Sequence, residues 1–206
     1  DMLDKIKESL SKIGLDNKKL IRKSESLIPK GGPFSPAPMP SLPDDKLAQK
    51  FREVNEKLEY WRGLINISGL LPLGNPVHSM RITSPFGTRV DPFNGNPAMH
   101  KGIDFAGALN TPLYSTAPGK VIRAGVRGDY GNAVEVDHGL GFTTVYGHLN
   151  KILVKVGQKV QTGDKIGLAG STGRSTGVHL HYEVRYGGRQ INPYNFVKAK
   201  KNVFDS

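Results

Sequence analysis

The 206-residue chain has no cysteine, one tryptophan, and far fewer acidic than basic residues, with 18 Asp+Glu against 29 Lys+Arg. The missing thiols exclude a disulfide framework, a cysteine nucleophile and any thiolate metal site, so a metal would have to be held by His and carboxylates. They leave the compartment open, because exported and cytosolic proteins alike can lack cysteine. No apolar run approaches the roughly 18 residues of a membrane span, and the opening Asp1-Met2-Leu3-Asp4 does not read as a signal peptide. The shortage of acidic residues gives a formal net charge of +11. That excess fits nucleic acid, anionic lipid or another anionic polymer without choosing among them. What is abundant is glycine: 25 residues, where average usage would supply about 14. Most lie beyond residue 86, which predicts short strands joined by tight turns.

The chain reads as three stretches. Leu3, Ile6, Leu10, Ile13, Leu20 and Leu27 recur at helical spacing, which predicts one helix or two over 2–28, weakest at Gly14. Residues 29–43, with six prolines and two glycines, predict a linker or extended strap. Asp44 and Asp45 suit a helix N-terminus, and Leu47, Phe51, Val54, Leu58, Trp61 and Ile65 continue an apolar stripe expected to pack on a neighbour or form a short coiled coil. From about Ser68 the period becomes two. Short β runs are predicted at 121–126, 133–139, 142–149, 151–156, 165–170 and 179–186. The expected organisation is a helical region over 1–67 and a mostly antiparallel β domain over 68–206. Residues 1–75 hold 13 basic and 10 acidic groups and residues 76–206 hold 16 and 8, so an acidic partner should meet the β domain.

The histidines concentrate the chemistry. His179 and His181 are two apart in a strand-like run, so they leave the same face with Glu183, while Leu180, Tyr182 and Val184 face the core. His100 and Asp104, four apart in MHKGIDFAG, would share a face of a strand or helix. Each pair alone is a weak signal. Together they supply His, Asp and His, a donor set of the kind that leaves a fourth zinc position open. His148 closes a β run in YGHL. The Gly-rich stretch 170–177 lacks the ending of a phosphate loop and no helix pattern follows it, so it reads as a groove wall whose glycines admit a peptide backbone. Residues 155–170 are similar to biotinyl and lipoyl domains, but Lys165 lacks a carrier's flanking residues.

In this order, HKGIDFAG, YGHL, GSTGRSTG and HLHYEVR resemble the lysostaphin-type, or LytM-like, zinc endopeptidases, over roughly residues 76–199. The stretch 84–107 is most similar to members from Gram-negative bacteria, in which a coiled-coil region precedes the peptidase domain. The resemblance implies a lysostaphin-like β domain of the barrel-sandwich kind. It implies one zinc ion held by His100, Asp104 and His181, and metal-bound water worked on by two catalytic histidines, His148 and His179. Glu183 could partner a ligand imidazole or be a surface residue. His78 and His138 match no motif and read as surface or turn histidines.

The implied activity is hydrolysis of peptide cross-links in bacterial peptidoglycan, whose stem peptides carry carboxylates that suit a basic domain. The alternative is a non-catalytic LytM-like regulator that binds cell wall or activates an amidase; degenerate relatives of that kind lack ligands, whereas all five positions are present here. Nucleic acid is not expected as a partner, since clustered aromatics for base stacking are lacking. The N-terminal helices could dock a regulatory protein, oligomerise, or lie across the groove. The substrate implies the periplasm or cell envelope, with an export signal or membrane anchor in the full-length protein.

Overall fold

A computed structural model describes residues 11, 20, 22, 45–92 and 94–203. The helix expected over 2–28 and the Pro-rich segment 29–43 lie outside the described residues, apart from the three single positions. The chain divides into two compact units between Gly69 and Leu70.

In the first unit, α1 spans Asp45–Leu70. Pro72 follows it, as expected of a residue that cannot extend a helix. The stripe Leu47, Phe51, Val54, Leu58, Trp61 and Ile65, read from sequence as a packing face, is exposed, each residue at 43–57%. Leu64 and Ile67, three residues apart, are buried instead.

The second unit is almost entirely antiparallel β. Its strands are β1 (Arg81–Ser84), β2 (Gly87–Val90), β3 (Pro97–His100), β4 (Ile103–Ala106), β5 (Pro112–Tyr114), β6 (Gly119–Val126), β7 (Asn132–Gly139), β8 (Phe142–Gly147), β9 (Leu149–Ile152), β10 (Lys159–Val160), β11 (Lys165–Ala169), β12 (His179–Tyr186) and β13 (Arg189–Ile191). A 3-10 turn covers Gly128–Tyr130 and α2 covers Tyr194–Val203. The largest sheet runs β1-β4-β12-β8-β7-β6-β10, with β13 also pairing with β12; β5-β11-β9 form a second sheet and β2-β3 a hairpin. The β12–β13 connection is Gly187-Gly188, both at positive φ (56° and 79°), as a two-residue hairpin turn requires.

Alternation places Leu180, Tyr182 and Val184 of β12 on the core face, with Val134 and Val136 of β7 and Tyr146 of β8, all fully buried. Leu113, Leu149 and Ile166 of the second sheet are equally buried. The two core tyrosines are satisfied by Thr116, whose Oγ1 lies 2.9 Å from the Tyr182 hydroxyl and 3.2 Å from that of Tyr146, as buried hydroxyls demand. Two predicted runs differ from the observed strands. The run at 142–149 breaks at His148, where the chain leaves the large sheet for the second one, and 151–156 shortens because β9 ends at Ile152.

Candidate metal centre and active site

Three side chains converge from the end of β3 and from within β4 and β12. His100 ends β3 in the hairpin and Asp104 lies in β4 of the large sheet, so the HxxxD pair does not share one element; it straddles a turn at Lys101-Gly102. Gly102 is required there, since a Cβ would stand 2.4 Å from Tyr182 O and 2.9 Å from His181 Cε1. Antiparallel register sets Asp104 directly opposite His181 of β12. Asp104 Oδ1 is 3.0 Å from His100 Nε2 and 2.8 Å from His181 Nδ1, and the two nitrogens are 3.2 Å apart. All three residues are buried.

The far nitrogens fix the tautomers. His100 Nδ1–H donates to Pro85 O at 2.6 Å, and His181 Nε2–H donates to Glu183 Oε1 at 3.2 Å. Each imidazole therefore turns a lone pair inward, toward the Asp104 carboxylate. Three lone-pair atoms aimed at one point fit a divalent cation; ligands bound tetrahedrally at about 2.0–2.2 Å would stand roughly 3.3–3.6 Å apart, close to the observed spacing. Asp104 Oδ2 accepts from Arg89 at 3.4 Å. Burial would raise the Asp104 carboxyl, but the imidazoles of His100 and His181, which donate to it whenever their inner nitrogens are protonated, hold it far below the usual carboxylate range.

His148 and His179 stand beside this cluster, their rings 4.6 Å apart, and His179 Nε2 is 3.9 Å from Asp104 Oδ1. His148 sits at the crossover between sheets with φ of 63°, a left-handed conformation uncommon for a non-glycine residue. Its backbone N–H donates to Tyr130 O and its Nδ1–H to Thr172 O at 2.8 Å. His179 Nδ1–H donates to Gly177 O at 2.8 Å. In the neutral ring each therefore leaves Nε2 as the nitrogen with the lone pair. Burial pushes the His148 imidazole down to about 4, so it is neutral at ordinary pH.

The Gly-rich loop both lines the cleft and holds His148. Thr172 Oγ1 donates to Leu149 O and accepts from Asn132 N–H, which pins the carbonyl that His148 uses. Arg174 forms a two-pronged pair with Asp91, 2.9 Å to each carboxylate oxygen. The cleft, about 280 Å³, is lined by all five histidine and aspartate positions together with Arg89, Met99, Tyr130 and Ser175.

Of the remaining sequence expectations, Glu183 proves fully buried and bonded to His181, not a surface residue. His78 is exposed. His138 is not a surface or turn histidine: it is buried in β7, bonded to Pro118 O and Thr144 Oγ1. Sequence reading gave no role to Arg89, Tyr130, Asn132 or Thr172. Arg89 and Thr172 stand inside recognised motifs, but the partners that give all four a role lie between 15 and 53 residues away.

The model of peptidase family M23 matches residues 98–193. The catalytic domain of the antimicrobial peptidase lysostaphin from Staphylococcus simulans is 33% identical to this chain, with a TM-score of 0.54 over 58% of this chain and 92% of that one. This chain belongs to peptidase family M23. It is also similar to a zinc-containing peptidase from Vibrio cholerae, 45% identical with a TM-score of 0.54 over 57% of this chain and 37% of the other. The peptidoglycan DD-endopeptidase ShyA of Vibrio cholerae is 47% identical over 119 residues, which is 57% of this chain and 28% of that protein. The chain spans about a quarter to a third of the length of the curated relatives it matches. The M23 match covers all five site positions.

Proposed function

We propose that the chain is a zinc-dependent endopeptidase that hydrolyses peptide cross-links of bacterial peptidoglycan. The observation that carries this reading is the convergence of His100, Asp104 and His181 on one point, with two further imidazoles, His148 and His179, lining the same cleft. The relatives named for peptidoglycan endopeptidase and zinc peptidase activity support it.

In this reading His100 Nε2, Asp104 Oδ1 and His181 Nδ1 hold zinc. Zinc held by these residues would supply a Lewis acid and lower the pKa of a bound water toward neutrality. His148 and His179 handle protons. Each has Nδ1–H tied to a backbone carbonyl, so each Nε2 can take a proton on one side of the scissile bond or return one to the leaving amine. The imidazolium so formed also faces the charge that develops on the carbonyl oxygen. Arg174, Ser175 and the glycines around them form a wall along which an extended peptide can lie.

Location in the cell envelope follows from this substrate. Among the described residues no helix is long and apolar enough to cross a membrane. The exposed apolar stripe of α1 supports this helix as a docking surface for a regulatory protein.

The test is zinc content and digestion of purified sacculi, with products read by mass. The wild-type chain should carry about one zinc and release new amine and carboxyl ends on stem peptides. His148→Ala should keep the metal and lose digestion by about 10²–10⁴-fold, whereas His181→Ala should lose both. Peptides released whole from the sugar, or sacculi left intact by a zinc-loaded chain, would sink the reading.

A further inference from the structure

The inference rests on the cluster being a metal site and concerns how the fold holds one ligand there. Glu183 is completely buried, with its carboxyl group paired to Arg185. Its two oxygens are divided between two tasks. Oε1 accepts from His181 Nε2 at 3.2 Å and from the Tyr130 hydroxyl at 2.7 Å. Oε2 accepts from Arg185 Nε at 2.7 Å and from Arg185 Nη2.

The network then crosses the sheet. Glu183 of β12 and Glu135 of β7 both stand opposite Val145 of β8, so alternation brings both carboxylates to one face. Arg185, also buried, spans the strand between them and reaches Glu135 Oε1 at 3.5 Å. Arg127 closes the row on Glu135 Oε2 at 2.8 Å. Charges therefore alternate from the metal cluster outward: Glu183, Arg185, Glu135, Arg127.

Stability does not account for this row. Taking charges out of water is costly, and apolar side chains of similar volume often hold a sheet as well or better. The opposite face of β12, with Leu180 and Val184, is built in that apolar way. What the charged face supplies is an acceptor of fixed direction beside a ligand. We propose that Glu183 is a positioning residue for the metal ligand His181, and that Tyr130, Arg185 and Glu135 hold its carboxylate in place. By accepting the Nε2 proton, Glu183 selects the tautomer whose Nδ1 lone pair faces Asp104 and His100. A carboxylate in that position also makes the imidazole a stronger ligand.

The side chain is specified closely. The substitution Glu183→Gln would retain an acceptor for His181 but turn an NH2 group toward the Arg185 donors. Alanine would remove both acceptors. Tyr130→Phe would leave the acceptor and remove one of the groups that aims it.

The experiment measures zinc affinity of the full chain by competition with a chromophoric chelator, beside the melting temperature of the metal-free protein and the visible absorption of the cobalt(II)-loaded form. Glu183→Ala should weaken zinc binding about 10- to 100-fold and alter the cobalt bands. Glu183→Gln should lose several-fold less affinity and retain the bands, and Tyr130→Phe should show the smallest loss. Wild-type zinc affinity in a folded Glu183→Ala chain overturns the inference, even if its metal-free melting temperature falls. If that variant does not fold, wild-type affinity in both Glu183→Gln and Tyr130→Phe overturns it. A wild-type chain that binds no zinc would remove the reading of the site itself, whereas normal wild-type binding with indifferent variants removes this inference alone.

Discussion

His138 shows at the scale of one residue how burial, not residue type, decides what a histidine does. It donates Nδ1–H to Pro118 O and places Nε2 2.8 Å from the Thr144 hydroxyl, so the neutral ring finds a partner for each nitrogen without bringing a charge into the core. Burial pushes the imidazole below its ordinary 6.5. As pH falls, the unfolded chain therefore takes this proton before the folded chain does. The contribution to stability is complete above about 6.5 and is lost as pH drops below it toward the folded value. His138→Gln should accordingly flatten the decline in melting temperature between about pH 7 and pH 5, and an unchanged slope in thermal melts would count against the assignment. Strand periodicity does not separate His138 from His148, since both stand near the end of a β run; only the YGHL motif sets His148 apart, and it does not tell that His138 is buried. The distinction lies in what surrounds each ring after folding.

At the scale of elements, the loop 170–177 and the turn 128–131 behave as one piece. Gly173 has φ of +71°, and a Cβ there would meet Gly131 N at 2.3 Å and Asp129 O at 2.6 Å. Arg174 N–H donates to Asp129 O, and Asn132 N–H to Thr172 Oγ1. This close backbone approach keeps the Thr172 carbonyl under His148. Gly173→Ala should destabilise the chain by more than about 1 kcal/mol in denaturant melts, because the conformation is unsuited to an L side chain. It should also slow sacculus digestion by on the order of 10²-fold, since a small displacement of a proton-handling group is costly, while zinc content stays at the wild-type level. Zinc loss in parallel with activity would show that the loop supports the whole cleft and not His148 alone. The glycine count foretold tight turns here. It could not foretell that two of them, some forty residues apart, would pack backbone to backbone.

For the whole molecule, all five proposed site positions and their supporting network fall within the unit that begins at Leu70. A fragment of residues 68–206 is expected to unfold cooperatively and bind zinc with the affinity of the full chain, and its digestion rate compared with the full chain reads whether the N-terminal region restrains the groove. Failure of that fragment to fold would show that the helical region belongs to the same cooperative structure. The sequence by itself determined the composition of the site: with no cysteine, a metal had only imidazoles and carboxylates to bind, and the period-two run at 179–186 put His179, His181 and Glu183 on one strand face. The resemblance carried by the spaced motifs added the family and the set of five residues. Tertiary structure alone decided that His100 and Asp104 arrive on different strands, that Glu183 is buried under Arg185 and Tyr130, and that the α1 stripe is exposed. These are consequences of register and burial across residues far apart in the chain. Local spacing sets which way a side chain points along its own strand, but only the pairing of β4 with β12 and of β12 with β8 sets what it points at.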